Sequence, residues 1–207
     1  MNMDPRLKHP FTCLVAGPTG CGKSVFVSRL IQHMQNMMYP VPEKVMWCYG
    51  EWQALYDTLL GVEWTEGLPD TSTLDGKVRT LVVIDDLMTE TDSRVTKLFT
   101  KMSHHRNTSV VQIVQNVFDQ GKQNRTISLN AQYMVLFKNP RDATQITHLA
   151  KQMYPGHLQY VQESFRDATN TPHGYLFIDL KQDTPDHVRL RTSIFPGETQ
   201  YVYMRKV

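Results

Sequence analysis

One eight-residue stretch near the start of the chain constrains the fold more than any other. It reads GPTGCGKS, from Gly17 to Ser24, and lies between the apolar run Phe11–Ala16 and a helical pattern from Lys23 to about residue 35. A glycine turn between a buried strand and a helix directs successive backbone N–H groups at an anion. The pattern G-x-x-x-x-G-K-S therefore predicts a phosphate-binding loop, the alternative being a glycine turn that holds no ligand.

Each residue type in this loop has a chemical task. The expected nucleotide-binding residues are Gly17, Pro18, Thr19, Gly20, Cys21, Gly22, Lys23 and Ser24. Lys23 brings a positive charge to the outer phosphates, and the Ser24 hydroxyl is an oxygen ligand for Mg²⁺. Cys21 either fills space in the turn or senses redox state. The loop thus predicts ATP and Mg²⁺ as ligands.

A second predicted strand ends in two acids. The run Leu81–Ile84 is apolar throughout and is followed by Asp85 and Asp86. We expect Asp85 to hold Mg²⁺ through water and Asp86 to orient or deprotonate an attacking water. The alternative is a solvated strand exit with no role in catalysis. A paired acid favours hydrolysis by water over transfer to a small acceptor.

A polar amide ends a third predicted strand. The run Val110–Gln115 finishes on Gln115, with Asn116 next. An amide at this tip would reach the γ-phosphate and the water, although capping of the strand is the alternative role for Gln115. An acid pair followed by a strand-end amide is typical of P-loop ATPases with an added catalytic strand. Small-molecule kinases lack that layout.

Short apolar runs alternate with helical patterns along most of the chain, as in a parallel sheet covered on both faces by helices. The predicted strands are Phe11–Ala16, Val45–Tyr49, Leu81–Ile84, Val110–Gln115 and Tyr133–Phe137. A second helix is expected from near Thr91, with Val95, Leu98, Phe99 and Met102 on one face. A third is expected over Asp142–Met153, with Ala143, Ile146, Leu149, Ala150 and Met153 facing inward.

The C-terminal part of the chain has a different pattern. Tyr175–Leu180 and Val188–Thr192 read as antiparallel strands joined by a turn near Pro185. The predicted fold class is therefore α/β: a P-loop NTPase with a mostly parallel central sheet, helices on both faces and C-terminal antiparallel edge strands. We expect residues 1–207 to form a single P-loop ATPase domain, with a core at about 9–155 and an extension with a β-hairpin at about 170–207.

Composition excludes several function classes. The chain has 22 basic and 20 acidic residues among 207, so no global field attracts nucleic acid. The start lacks an apolar signal region, and no run reaches membrane-spanning length. The three cysteines show no metal-ligand spacing, and an odd number argues against a disulfide framework. These features predict a soluble protein in a reducing, intracellular compartment.

Four stretches carry a resemblance to a known family. They are HPFTCLVAGPTGCGKS, LVVIDDLM, SVVQIVQNVF and RTISLNAQYMVLFKNPRDATQITHLAKQMYP, with weaker support from VEWTEGLPD and GYLFIDL. The chain resembles the DNA-packaging ATPases of large double-stranded DNA viruses and virus-like transposons, the poxvirus-type and Polinton- or adintovirus-type branch of the FtsK–HerA superfamily. The resemblance covers about residues 9 to 192.

The resemblance implies an ATP-hydrolysing ring motor, a pentamer or hexamer, that drives double-stranded DNA into a capsid. It implies docking at a capsid vertex or portal-like protein inside the infected cell, in its nucleus or cytoplasm, and association with the virion. Lys23 binds phosphate, Asp85 holds the metal, Asp86 is the general base and Gln115 is the sensor. Many superfamily members carry Asp-Glu in place of Asp85-Asp86, which makes the base assignment weaker than the metal assignment.

A ring of this kind also implies an arginine from the neighbouring subunit. Arg106, in the sequence HHRN before the Gln115 strand, is the first candidate, and Arg141 and Arg125 are the alternatives. A planar guanidinium spreads charge over the transition state of phosphoryl transfer. The alternative role for Arg106 is that of a helix-end residue that offsets the helix dipole.

A ring also explains how so small a domain could handle a duplex. A chain of this length has a radius of gyration of about 17 Å, too small to surround DNA alone. The segment Phe118–Arg125 follows the Gln115 strand, and its Lys122 and Arg125 are candidates for contacts with DNA phosphates. The alternative is an ordinary solvated loop.

Three other functions fit parts of the sequence. A nucleotide or small-molecule kinase would need an Arg-rich lid and an acceptor pocket, and neither is evident. An ATP-dependent assembly switch or scaffold shares every residue named above. A DNA pump of conjugation or repair shares the mechanism and differs in biological context.

Overall fold

A computed structural model describes residues 4–85, 87, 93–102, 107–117 and 122–205 of the chain. Eleven strands lie within these residues. They are β1 (Leu7–Lys8), β2 (Thr12–Ala16), β3 (Met38–Tyr39), β4 (Lys44–Tyr49), β5 (Val62–Glu66), β6 (Thr80–Asp85), β7 (Thr108–Val114), β8 (Tyr133–Phe137), β9 (Tyr175–Asp179), β10 (Leu190–Thr192) and β11 (Tyr201–Tyr203). Nine of them form one sheet in the order β11-β10-β9-β8-β2-β7-β6-β4-β5, and β1 pairs with β3.

Six α-helices connect these strands in the described part of the chain. They are α1 (Lys23–Gln32), α2 (Met34–Met37), α3 (Ser93–Lys97), α4 (Lys122–Asn130), α5 (Thr144–Met153) and α6 (Leu158–Ala168). A π-helical turn, Leu98–Met102, continues α3, and short 3₁₀ turns occupy Ala54–Thr58, Thr71–Thr73 and Asp186–Val188.

The central strands are buried on both faces. Alternate residues of β2 point to opposite sides, so that Cys13 and Val15 join one core and Leu14 and Ala16 join the other. Helix α1 covers the first of these faces, and α3 to α6 contribute to the second. A strand covered on both faces must be apolar at nearly every position, which is why β2 and β6 read as continuous apolar runs.

The fold class predicted from the sequence is confirmed. Strands β8, β2, β7, β6, β4 and β5 run parallel to one another, while β9, β10 and β11 add by antiparallel pairing. Strand β7 lies between β2 and β6, with Ala16 opposite Val114 and Ile113 opposite Asp85. This inserted strand is the added strand that the Gln115 pattern predicts.

Several element boundaries differ from the sequence prediction. Helix α1 ends at Gln32, before the expected residue 35, and α5 begins at Thr144. The prediction that Ala143 faces the core is therefore wrong, because this residue lies exposed at the start of the helix. Ile146, Leu149 and Ala150 are buried, as predicted. A residue ahead of the first helical turn does not share the inward face of the turns that follow it.

Several elements were not predicted, among them β5, α6 and β11. Strand β5 has a mixed pattern because it is the edge strand beside β4, half covered and half solvated. Helix α6 is strongly amphipathic, with its apolar residues spaced among polar ones. Strand β11 contributes mostly exposed side chains at the opposite edge. Among the described residues, no helix combines the length and the apolar character that crossing a bilayer requires.

Candidate nucleotide site

The loop from Gly17 to Ser24 leaves the carboxyl end of β2 and enters α1. Gly20 and Gly22 have φ angles of 78° and 107°, in the left-handed region that glycine adopts without a steric penalty. Gly22 is the residue that precedes the first turn of α1. This geometry confirms the strand–turn–helix context on which the prediction of a phosphate-binding loop depends.

The Lys23 ammonium folds back over the loop. Its Nζ donates to the carbonyl oxygens of Gly17, at 2.7 Å, and Pro18, at 3.0 Å. An ammonium has three N–H donors, and these two bonds fix its position at the centre of the turn. A positive charge held there faces the position that a phosphate takes at the N-terminus of α1.

Ser24, in the first turn of α1, meets Asp85 at the end of β6. The Ser24 hydroxyl donates to Asp85 Oδ2 over 3.1 Å, and Asp85 is 3% exposed at the tip of β6. Both groups offer the hard oxygen ligands that Mg²⁺ prefers. No group of three or more His, Cys, Asp or Glu side chains gathers among the described residues. The pair therefore fits Mg²⁺, which binds through one or two protein oxygens together with phosphates and water.

Gln115 lies beside this pair at the end of β7. The Gly17 N–H donates to the carbonyl oxygen of Val114 over 3.2 Å, which joins the phosphate loop to the residue before Gln115. The Gln115 side chain is exposed and lines the same cavity as Ser24 and Asp85. The structure thus brings together the three strand ends from which the sequence predicts a catalytic site.

A cavity of about 510 Å³ connects the phosphate loop to an aromatic wall. Such a volume falls within the range of small-molecule sites. The wall comprises Phe26, Phe137, Tyr175 and Phe195, which pack edge to face or tilted at centroid distances of 4.8 to 6.4 Å. Sequence reasoning missed this wall, since its members come from α1, β8, β9 and the C-terminal segment.

Further contacts connect the C-terminal part of the chain to the phosphate loop and to α1. The Nδ1–H of His173, a residue with φ of 60°, donates to the Cys21 carbonyl over 3.0 Å. The Arg29 guanidinium lies 4.0 Å above the Phe195 ring and pairs with Glu198 at 2.7 Å. The segment around Phe195 is therefore held against α1 on the nucleotide side of the sheet.

Cys21 fills space inside the turn. Its Sγ would lie 2.7 Å from a Cβ placed on Gly17, and burial raises the pKa of its thiol. A raised pKa lowers the thiolate fraction, and it is the thiolate that reacts with oxidants. These observations favour the packing role over the redox role. All three cysteines are free.

The structure locates some of the remaining candidate residues and not others. Asp86 and Arg106 lie outside the described residues. Arg141 is exposed in the connection after β8, and Arg125 is exposed on α4. The expectation of a loop through Lys122 and Arg125 is wrong from Lys122 onward, since α4 begins there. Ile127 is buried in the core and anchors this otherwise polar helix.

Comparisons with known proteins support the fold. No family model and no curated protein matches the sequence. Among solved structures, the genome packaging NTPase B204 of Sulfolobus turreted icosahedral virus 2, in complex with ATPγS, matches with a TM-score of 0.54 at 12% identity, over 99% of this chain and 100% of that one. The chain has a P-loop NTPase fold. The cytoplasmic domain of the type VII secretion ATPase EccC from Thermomonospora curvata matches with a TM-score of 0.53 at 12% identity, over 84% of this chain and 24% of that one.

Replacing Gly17 with alanine should weaken both the fold and nucleotide binding. An added Cβ would lie 2.7 Å from Phe137 Cβ, which is attached to the β8 backbone and cannot rotate away. Overpacking of this kind costs about 1–3 kcal/mol. Chemical denaturation and calorimetric titration with ATP would measure the two effects.

Gly156→Ala is the matched control, because a Cβ there meets no described atom within 4 Å. We expect it to change the free energy of unfolding by less than about 1 kcal/mol. If both variants behave alike, the close approach of the loop to β8 is not a constraint on this site.

Proposed function

We propose that the chain is an ATPase that works as a ring motor and translocates double-stranded viral DNA into a capsid. The observation that best supports hydrolysis is the position of Gln115. Its exposed side chain directly follows β7, the strand between β2, which leads into the phosphate loop, and β6, which ends at Asp85. A strand-end amide in that place can orient a water molecule towards the γ-phosphate. The proposal places the chain in the poxvirus-type or Polinton-type branch.

In the proposed reaction, the loop N–H groups and Lys23 bind the phosphates, and Ser24 and Asp85 hold Mg²⁺. When bound, Mg²⁺ neutralises charge on the phosphate oxygens. Gln115 orients the attacking water, and Asp86 accepts its proton as the water attacks in line. The aromatic wall and Arg29 line the same cavity, and in this proposal they exclude water from the bound nucleoside.

The packaging role is supported by the fold similarity, which extends over nearly the full length of both chains, to a structure described as a viral genome packaging NTPase. We infer a ring, a pentamer or hexamer, that docks at a capsid vertex or portal-like protein in the infected cell. The proposed contacts with DNA phosphates are Lys122, the first residue of α4, and Arg125, one turn further along the same helix. Such contacts carry no sequence preference.

We infer that each site is completed by an arginine of the neighbouring subunit. Arg141 follows β8 on the sheet edge that carries the phosphate loop, and its side chain is exposed. Arg106 and Arg125 are the other candidates. A finger of this kind contributes about three to five powers of ten to kcat in related systems.

The first test is the steady-state ATPase rate with and without long double-stranded DNA. We expect DNA to stimulate the wild type, and Asp86→Asn to bind ATP with a rate lowered by about two to four powers of ten. Turnover that is indifferent to DNA would refute the motor and favour the switch. Phosphate transfer that depends on a small acceptor would favour a kinase.

The second part of the test mixes subunits. Arg106→Ala, Arg141→Ala and Arg125→Ala are each titrated into the wild type, and the activity is compared with simple dilution. A trans-acting arginine lowers activity more than dilution does, because each mutant subunit disables its neighbour's site. If all three mixtures follow dilution, the shared site is wrong.

A further inference from the structure

All three tryptophans of the chain lie in one aromatic cluster next to the metal-binding strand. Trp47 and Trp64 sit opposite each other on β4 and β5, with ring centroids 5.7 Å apart, and Trp52 packs against Trp64 at 5.2 Å. Tyr49 and Tyr56 complete the cluster. Trp52 is half exposed, so the cluster reaches the surface.

Tyr56 extends from this cluster to the nucleotide site. Its hydroxyl donates to Asp85 Oδ2 over 2.8 Å, the same oxygen that accepts from Ser24 Oγ. The ring is 1% exposed, stacks on Trp64 at 4.8 Å with planes 25° apart, and meets Trp47 at 5.2 Å. A ring enclosed in this way cannot swing its hydroxyl off the carboxylate without disturbing the cluster.

We propose that Tyr56 is a positioning residue for metal binding, which holds the Asp85 carboxylate in the orientation that Mg²⁺ requires. A donor that fixes Oδ2 also fixes the carboxylate plane, and therefore the direction of Oδ1. Mg²⁺ demands near-ideal octahedral geometry, so a freely rotating carboxylate would bind it less well. The inference rests on the proposed nucleotide site but not on DNA translocation.

A tyrosine suits this task better than a basic residue. Lysine or arginine in the same place would neutralise the carboxylate and repel the divalent cation. A phenol hydroxyl carries no formal charge and donates one hydrogen bond. It therefore orients Asp85 while leaving its negative charge available to the metal.

The same contact links the metal site to the surface. Tyr56 belongs to the 3₁₀ turn Ala54–Thr58, and the neighbouring residues Gln53 and Leu55 line the nucleotide cavity. Trp52 and Leu60, at the two ends of this connection, are 50% and 92% exposed. The Tyr56 hydrogen bond therefore joins the Asp85 carboxylate to the connection between β4 and β5.

The test measures Mn²⁺ binding by electron paramagnetic resonance in the presence of a non-hydrolysable ATP analogue. We expect Tyr56→Phe to raise the half-saturating Mn²⁺ concentration by about five- to tenfold, which is less than the full worth of a hydrogen bond to a charged group because the bond is present both with and without the metal. Tyr49→Phe is the matched control. It removes a hydroxyl from the same cluster, lies opposite Asp85 on β4, and should bind Mn²⁺ within about twofold of the wild type.

A second measurement shows whether the cluster itself is intact in the variant. Near-ultraviolet circular dichroism of the tryptophans should be the same in the wild type and in Tyr56→Phe, because the ring and its contacts with Trp47 and Trp64 are retained. Equal Mn²⁺ affinity in both tyrosine variants would overturn the proposal, and so would an altered spectrum in Tyr56→Phe, because the weaker binding would then come from a disturbed cluster and not from the lost hydroxyl. Neither readout involves DNA or turnover, so failure of the packaging function leaves this test intact.

Discussion

Lys23→Ala is expected to lower kcat/KM for ATP hydrolysis by at least about a hundred- to thousandfold, the usual cost of removing a preorganised electrostatic group. The Lys23 ammonium is fixed by the carbonyls of Gly17 and Pro18, at 2.7 and 3.0 Å. Alanine removes both the charge and these two bonds. ATP binding should weaken in parallel, which calorimetric titration would measure beside the steady-state rate.

Lys23→Arg separates the charge from the shape of the side chain. Arginine keeps the positive charge, but its planar guanidinium does not fit the centre of a turn built around a compact ammonium. We therefore expect it to recover part of the ATP binding and little of the rate. Lys151→Ala, an exposed change on α5, is the control and should match the wild type. A Lys23→Ala rate within threefold of the wild type would contradict the assignment of this loop.

The strands of the central sheet could be predicted because burial on both faces leaves an unambiguous pattern. The apolar runs of β2, β6 and β8 were predicted to within a residue or two of their observed bounds. Elements at the sheet edges could not be, since one exposed face admits polar residues. Three of the five residues of β5 are polar (Glu63, Thr65 and Glu66), and β11 has no buried residue in its pattern.

The candidate site was predictable only where a motif defines it. Lys23, Ser24 and Asp85 follow from local patterns at strand ends, and the structure brings Ser24 and Asp85 into contact. Tyr56 and His173 carry no such signal. The Tyr56–Asp85 contact spans 29 positions of the sequence, and the His173–Cys21 contact spans 152. The first depends on the conformation of a 3₁₀ turn, and the second on the positive φ angle of His173.

The second large effect concerns a buried ion pair between β9 and β10. Arg191 and Asp179 lie 3.4 Å apart, and their side chains are 4% and 9% exposed. The guanidinium also lies 4.8 Å from the Phe177 ring, and its Nε has no hydrogen-bond partner among the described residues. Burial lowers the pKa of Arg191, which reflects the cost of holding its charge away from water.

Asp179→Ala should therefore lower the free energy of unfolding by about 3–5 kcal/mol, because it leaves a buried charge without its partner. The double variant Asp179→Leu with Arg191→Met removes both charges and should recover most of that loss, since apolar replacement of a buried pair is often neutral or stabilising. Urea denaturation followed by circular dichroism gives both values.

The control is an ion pair that is shorter than the Arg191–Asp179 pair but exposed to solvent. Lys44 and Glu63 are 2.6 Å apart but 39% and 53% exposed, so Glu63→Ala should cost less than about 1 kcal/mol. The shorter contact is expected to matter less than the longer one, since burial decides the cost of an unpaired charge. If Asp179→Ala costs no more than Glu63→Ala, water reaches Arg191, and the C-terminal strands are held to the sheet by backbone pairing and apolar contacts alone.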